Sequence, residues 1–468
     1  MPLATDYETC VDEFRAFIHA EESFDIIERH FQTAGGSFTL FFIDGLTKEN
    51  ELQKLITFFL SEKQEEKAVP CIRDLPAACW SWKSTYEELA LCVLSGETAI
   101  FSSALRGCAY SVNFRTYPGR SIGEPESDKV MQGARDGFVE SLLVNTALIR
   151  RRIKDRRLRI RHLSLSGASN TDVALCYMAG VADDAYVEKI EKKIRAIRPK
   201  GVCLGFQSLT ESLLRRGWWN PFPKVRLTER PDTASAQILE GFVVLLTDTA
   251  PNAMILPTSF FDYLQQTDDY YFPPLTGTYL RLVRTVILFL SVVLTPLWFC
   301  AVKHASLLPP FLSFLVPTSP GALPLLLQLY LAEFVIDGLK IASMNTPDML
   351  SNSLSVVGAL ILGDFAIEVG WFSEDVVLYM AFVAIATFAQ QNRELGYAFK
   401  FVRLITLGLT ALFDLYGILL GLFLFFLLLL CNETADGTRR YLYPLLPFNG
   451  KALCKLLFRV KKDDFDEE

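Results

Sequence analysis

Between Thr285 and Leu430 the chain runs through apolar stretches long enough to enter a bilayer, yet it keeps Glu333, Asp337, Asp364 and Glu368 inside two of them. Glu333 with Asp337, and Asp364 with Glu368, are spaced i,i+4, so the members of each pair project from one helix face. A charged side chain at the bilayer centre costs about 2.5–3.5 kcal/mol on insertion scales. Such groups face a bundle interior or water, and they often mark an ion or proton path. The alternative reading is a structural polar cluster that holds helices together, with Lys340 as counter-charge.

The apolar region opens at Arg281 and Arg284 with the run 285–302, long enough to span. The stretch 307–317 is too short to cross and carries three prolines, so it reads as re-entrant or interfacial. Further runs cover 322–342, 354–370, 376–389 and 401–430. The last would extend about 45 Å as one helix, more than the ~30 Å core requires. Asp414, Gly417 and Gly421 make a broken helix or tight hairpin plausible there. Arg393, Lys400 and Arg403 are expected in a 390–403 loop, against only Glu374 and Asp375 in the 371–375 loop. With the basic tail after 431, the positive-inside rule places both chain ends and that loop in the cytoplasm. An even number of crossings follows, within a range of four to six spans.

Upstream, residues 1–280 read as ordinary soluble protein. The 51% apolar fraction comes mostly from the C-terminal part. A net charge of -7 argues against nucleic acid as the main partner. Ten scattered cysteines without a C-x-x-C pair, and only four histidines, fit reduced thiols filling apolar space rather than a disulfide framework or zinc site. The acidic N-terminus lacks an apolar signal core. Residues 7–33 show helical spacing, with Phe14, Phe17, Ile18 and Phe24 as the buried stripe. Strands are expected at 37–45, 97–103 and 108–114, with a helix over 47–65 and a linker over 118–130. A second unit follows: a helix over 134–152, strands LRIRHLSL and DVALCYMA, a helix over 183–197, then strands VCLGF, KVRL, EGFVVLLTD and AMILP.

The resulting expectation is an α/β (or α+β) cytoplasmic region of two small subdomains, 1–125 and 126–275. A polytopic α-helical membrane domain over 280–432 and a cytoplasmic tail over 433–468 follow.

In the run 150–161 (RRRIKDRRLRIR), eight of twelve residues are basic. Arg150, Arg151, Arg152, Lys154, Arg156 and Arg157 are candidates for contact with anionic lipid or with acids of a neighbouring subunit. A solvated strand-and-helix edge is the plain alternative, and RNA is disfavoured because no stacking aromatics are interleaved. No phosphate loop, dinucleotide fingerprint or nucleophile elbow is present. The expectation is a protein that is not an enzyme, with no catalytic residue, cofactor or metal ligand.

The run GRSIGEPESDKVMQGARDGFVESLLVNTALIRRRI (119–153) resembles the signature of the GerA-type family of spore-germination A subunits. Members carry an EPE-like segment, a G-x-R-[DE]-G-F-x-E core and an N-x-A-L-x-R-R-R-I helix. Here these are Glu124-Pro125-Glu126, Gly133 to Glu140 and Asn145 to Ile153. FFIDGL (41–46) looks like an earlier family motif. The segments 354–388 and 441–453 resemble the stage V sporulation protein AF (SpoVAF) branch more than the nutrient-receptor branch.

This resemblance implies a spore inner-membrane protein acting in germination. It further implies a ring-like homo-oligomer, pentameric in the family, that conducts monovalent cations, in contact with membrane lipids, other germination proteins and another small membrane protein. Glu333, Asp337 and Glu368 fall on family acid positions, whereas Asp364 stands where receptors commonly have Gln. Lys340 followed by IASMNTP, and the proline-free QQNRELGYAF (390–399), depart from the receptor pattern. An ion-coupled secondary transporter and a non-conducting scaffold are the alternative functions. Transporters often show an internal repeat, and none is evident here.

Overall fold

The protein is described here from a computed structural model, over residues 1–33, 36–61, 79–103, 105, 107–116, 133–165, 171–197, 206–214, 219–318, 321–345, 366–390, 392–435 and 437–458. It divides into two compact units. The first holds Met1–Arg216, Val225–Thr258 and Thr434–Thr438; the second holds Gly217–Lys224, Ser259–Glu433 and Arg439–Glu468.

The first unit contains two five-stranded antiparallel sheets. One has the order β1-β2-β4-β5-β3, from β1 (Ile26–Thr33), β2 (Gly36–Ile43), β3 (Trp80–Lys83), β4 (Thr98–Ser102) and β5 (Ala109–Val112). Period-two alternation explains its two cores. Phe41 and Ile43 of β2 pack with α1 (Tyr7–Ile18) and α3 (Tyr86–Leu94), while Phe38 and Leu40 face α2 (Glu49–Ser61). A strand covered on both faces reads as one apolar run, which is why SFTLFFI is so legible.

The other sheet repeats the plan in the order β6-β7-β9-β10-β8. Its strands are β6 (Leu158–Ser164), β7 (Asp172–Met178), β8 (Arg226–Thr228), β9 (Val243–Thr247) and β10 (Ala253–Leu256). Val243 and Leu245 pack with α5 (Asp184–Ala196) and α6 (Phe206–Leu213); Val244 and Leu246 pack with α4 (Leu142–Arg152) and α7 (Pro231–Leu239). Cys176 lies in this core, where burial pushes its thiol well up, so it acts as apolar filler.

Three sequence expectations change in this unit. The helix expected over 7–33 stops at Ile18, because His19 takes a left-handed conformation and its N–H bonds back to Ala16. Residues 26–33 then form edge strand β1, whose charged side chains had imitated a helical surface. The helix expected over 134–152 begins only at Leu142. Upstream, the Asn145 side chain grips both the N–H and the carbonyl of Val139, and the Phe138 N–H bonds to Glu229 O, which holds these residues out of a helix. Of the expected strand VCLGF, Phe206 begins α6 and the rest lies outside the described residues.

The second unit is helical: α8 (Asp268–Tyr271), α9 (Pro274–Lys303), α10 (Leu325–Asn345), the short α11 (Ala366–Glu368), α12 (Glu374–Phe388), α13 (Arg393–Leu430) and α14 (Gly450–Leu457). Among the described residues, α9 and α13 are long and apolar enough to cross a membrane. Residues 305–315 form two 3₁₀ turns with Leu307, Phe311 and Phe314 exposed.

The final apolar run is a hairpin. Asp414 interrupts α13 at φ 53° and ψ -131°, and the legs 393–413 and 415–430 fold against each other. A Cβ at Gly417 would lie 2.2 Å from Leu409 O, and one at Gly421 would lie 2.5 Å from Thr406 Oγ1. Small residues at this seam let the backbones approach closely. The turn is held by Asp414, which pairs with Lys303 at 2.6 Å and His304 at 3.2 Å.

The loop expected over 390–403 is mostly helix. The Asn392 side chain caps α13 by accepting from Leu395 N–H, and Lys400 and Arg403 are buried within the helix. They are therefore not loop charges, and the positive-inside count at that loop loses both.

Candidate functional site: a charged network among apolar helices

Glu333 and Asp337 lie one turn apart on α10, and the bases facing them come from the first leg of α13. The two helices run antiparallel, with Tyr330 Oη donating to Leu404 O and the charged residues following toward the other end. Arg403 Nε donates to Glu333 Oε1 at 2.5 Å. Lys400 Nζ sits 3.5 Å from Glu333 Oε2, donates to Glu333 O at 3.2 Å, and pairs with the Asp337 carboxylate. Arg403 Nη1 also reaches Ser291 O of α9, so one guanidinium ties three helices.

Glu333, Lys400 and Arg403 are all buried. Two carboxylates and two bases give zero net charge, which is the condition under which buried ions are tolerated. Lys400 and Arg403 hydrogen-bond to these carboxylates. Lys340 lies over the rings of Phe388 and Tyr397, at 4.9 and 5.3 Å, and also interacts electrostatically with Asp337 and Glu333.

Glu368 ends the short α11 and is exposed, and no ion pair reaches it among the described residues. Behind it the chain turns sharply: Gly370 has φ +77°, its carbonyl accepts from Ala322 N–H, and Gln328 Oε1 accepts from Ser373 N–H. Asp364 lies outside the described residues. The structure thus separates the three described acids, with Glu333 and Asp337 compensated inside the bundle and Glu368 open.

A third charged cluster sits where α9 begins. Buried Asp269 takes Arg284 Nη2 at 3.0 Å and Arg281 Nε at 3.4 Å, while Arg281 Nη1 donates to Leu456 O. Among the pairs of the described residues, two guanidinium groups there share one carboxylate.

The basic run of the first unit is largely spent on internal pairs. Arg150 is fully buried and forks onto Asp25 at 2.8 and 3.1 Å, so the expected lipid or subunit contact does not hold for it. Its planar fork matches the carboxylate and joins α4 to the entry of β1. Arg152 pairs with Asp136, Arg159 with Glu22, and Arg161 with Glu191. Arg157 holds the Asp155 carboxyl below its usual range through a hydrogen bond. Arg156 lies 4.0 Å over the Phe17 ring. Arg151, Lys154, Arg156 and Arg157 remain exposed.

Replacing Arg150 by Met should therefore destabilise the first unit by about 3–5 kcal/mol, because Asp25 is left buried without its partner. The exposed Lys154→Met should stay within about 0.5 kcal/mol. Thermal unfolding of the two variants separates them, and equal melting temperatures would refute the buried pair.

Lys400 and Arg403, the partners of Glu333 and Asp337, are not singled out as site residues by the sequence reading. Their signal was present: two bases at i,i+3 in an apolar helix, matching two acids at i,i+4 in another.

The model of the Bacillus/Clostridium GerA spore germination protein family matches residues 14–467. The chain belongs to this family. It is 40% identical to stage V sporulation protein AF of Bacillus subtilis (strain 168), over 81% of this chain and 76% of that one. It is 29% identical to spore germination protein KA of the same organism, over 81% of this chain and 69% of the relative. The crystal structure of the N-terminal domain of the A subunit of the Bacillus megaterium spore germinant receptor GerK3 aligns with a TM-score of 0.40 at 21% identity, covering 55% of this chain and 96% of that one. The chain is thus a spore germination and sporulation membrane protein of the GerA family.

Proposed function

We propose that this protein is a subunit of a homo-oligomeric, pentameric channel for monovalent cations in the spore inner membrane, acting in germination. The observation that carries this reading is the unequal treatment of the acids. Glu333 and Asp337 are neutralised by Arg403 and Lys400, whereas Glu368 is exposed beside a tight turn. An uncompensated carboxylate at a pore raises local cation concentration and excludes anions. Glu368 and Asp364 then line the path. Glu333 and Asp337 clamp the helices and join the path only when their pairs open.

The helix ends support a topology with both flanks on one side. The start of α9, with Asp269 and Arg284, lies at the same end of the second unit as the close of the α13 hairpin. Lys303, His304 and Asp414 mark the opposite end. We place the first end, both termini and the tail in the cytoplasm. The domain reading keeps subdomains 1–125 and 126–275 as an assembly and gating ring. In that ring the exposed Arg151, Lys154, Arg156 and Arg157 contact lipid or a neighbouring subunit. Further partners are other germination proteins, including a small membrane protein.

The test is cation flux from liposomes carrying the chain. Glu368→Gln combined with Asp364→Asn should lower flux about tenfold while leaving the oligomer intact by native mass spectrometry. Unchanged flux removes these acids from the path.

A second reading, a non-conducting scaffold, is favoured by the balanced charges of the Glu333 network alone. Flux no greater than that of empty liposomes, with germination retained, would select it.

A further inference from the structure

Residues 439–458 (RRYLYPLLPFNGKALCKLLF) contain four bases and no acid, among large apolar side chains. The structure pins this segment at both ends. Tyr441 is buried, its hydroxyl donates to Pro223 O at 2.7 Å, and its carbonyl accepts from Phe260 N–H at 2.8 Å. Farther on, Asn449 caps α14 by accepting from Ala452 N–H, and Leu456 O accepts from Arg281 Nη1 at 2.6 Å.

Arg281 lies at the start of the apolar part of α9, so α14 is held at the level where that helix would leave a bilayer. Between and beyond these anchors, Tyr443, Leu445, Leu446, Phe448 and Phe458 are exposed, Phe448 at 73% and Phe458 at 52%. A folded chain has little reason to leave such a patch to water. Aromatic side chains flanked by bases suit the headgroup level of a membrane.

The charge is complementary to an anionic surface. Arg439, Arg440 and Lys451 are exposed. The Arg281–Arg284–Asp269 cluster sets two guanidinium groups against one carboxylate behind α14, and among the described residues Arg281 Nη2 is buried without a hydrogen-bond partner.

We propose that residues 439–458 form an amphipathic foot that lies in the headgroup layer and binds anionic phospholipid. The foot would fix the depth of α9 and of the α13 hairpin, because it is tied to the first by Arg281 and follows the second in the chain. Bases near an anionic surface are attracted to it, so the exposed Arg439, Arg440 and Lys451 give the segment a preference that a zwitterionic surface does not satisfy. The inference rests on the membrane assignment and is independent of whether the protein conducts.

The test uses the full chain in nanodiscs of phosphatidylcholine alone or mixed equally with phosphatidylglycerol, with bromine placed near the headgroup on the acyl chains. Phe448→Trp adds an emission, read as the difference from the parent protein. We expect bromine to quench the added emission at least twofold more strongly in the mixed lipid. Arg439→Gln with Arg440→Gln and Lys451→Gln should abolish the difference. Native tryptophan emission, Trp371 being exposed among the helices, reports insertion in the same samples. Quenching of native but not added emission would overturn the foot while leaving the membrane assignment standing. Equal quenching in both lipids would overturn the anionic preference. Phe458→Trp serves as the second probe if the first variant fails to fold.

Discussion

Arg403→Leu should lower the stability of the helical unit by about 3–5 kcal/mol, the loss expected when one partner of a buried ion pair is removed. Glu333 would keep Lys400 only at 3.5 Å, and the link from α13 to Ser291 O of α9 would vanish. Glu333→Leu should cost a similar amount, because it leaves Arg403 buried. The double replacement should recover most of the loss, since apolar residues of similar volume often substitute for a buried ion pair without penalty. Thermal unfolding of all three variants in one detergent, treated as a double-mutant cycle, gives the coupling directly. A coupling near zero would show that the bases serve α13 without holding α10.

Gly417→Leu should be more damaging than replacement of any other described glycine in this unit. Even the first added carbon would stand 2.2 Å from Leu409 O and 2.6 Å from Thr410 Cα, both backbone, so neither can swing aside. The hairpin legs would have to separate, and overpacking of this kind costs about 1–3 kcal/mol or more. The control is Gly338→Ala on α10, where an added Cβ meets nothing within 4 Å. There the gain in helix propensity favours the variant by up to about 1 kcal/mol. Opposite shifts in melting temperature are expected. A Gly417 variant that melts with the parent would refute the close approach of the two legs.

Much of this architecture was legible along the chain. Continuous apolar strands such as SFTLFFI and EGFVVLLTD announced sheets covered on both faces, and both are central strands. The hairpin was foreshadowed by Asp414, Gly417 and Gly421, because an acid amid apolar residues and two glycines a turn apart mark a place where a helix can stop and a neighbour can approach. β1 was not legible: IIERHFQT is an edge strand with polar residues on its open side, and its charges extended the helical pattern of α1. The late start of α4 was hidden as well, since it depends on Glu229, far away in sequence.

The sequence by itself determined which stretches are apolar, where they break, which charges lie within them and which family the chain belongs to. These are local or patterned properties, carried by the order of residues. Only the tertiary structure decided what each charge does. Arg150, one of eight bases in a row of twelve, is a buried partner of Asp25, while its neighbour Lys154 is exposed. Glu333 and Asp337 are neutralised by Lys400 and Arg403, more than sixty residues onward, while Glu368 is left open. The physical reason is that the energy of a charge depends on its neighbours in space and on the water it has lost, and neither is written in the spacing along one helix.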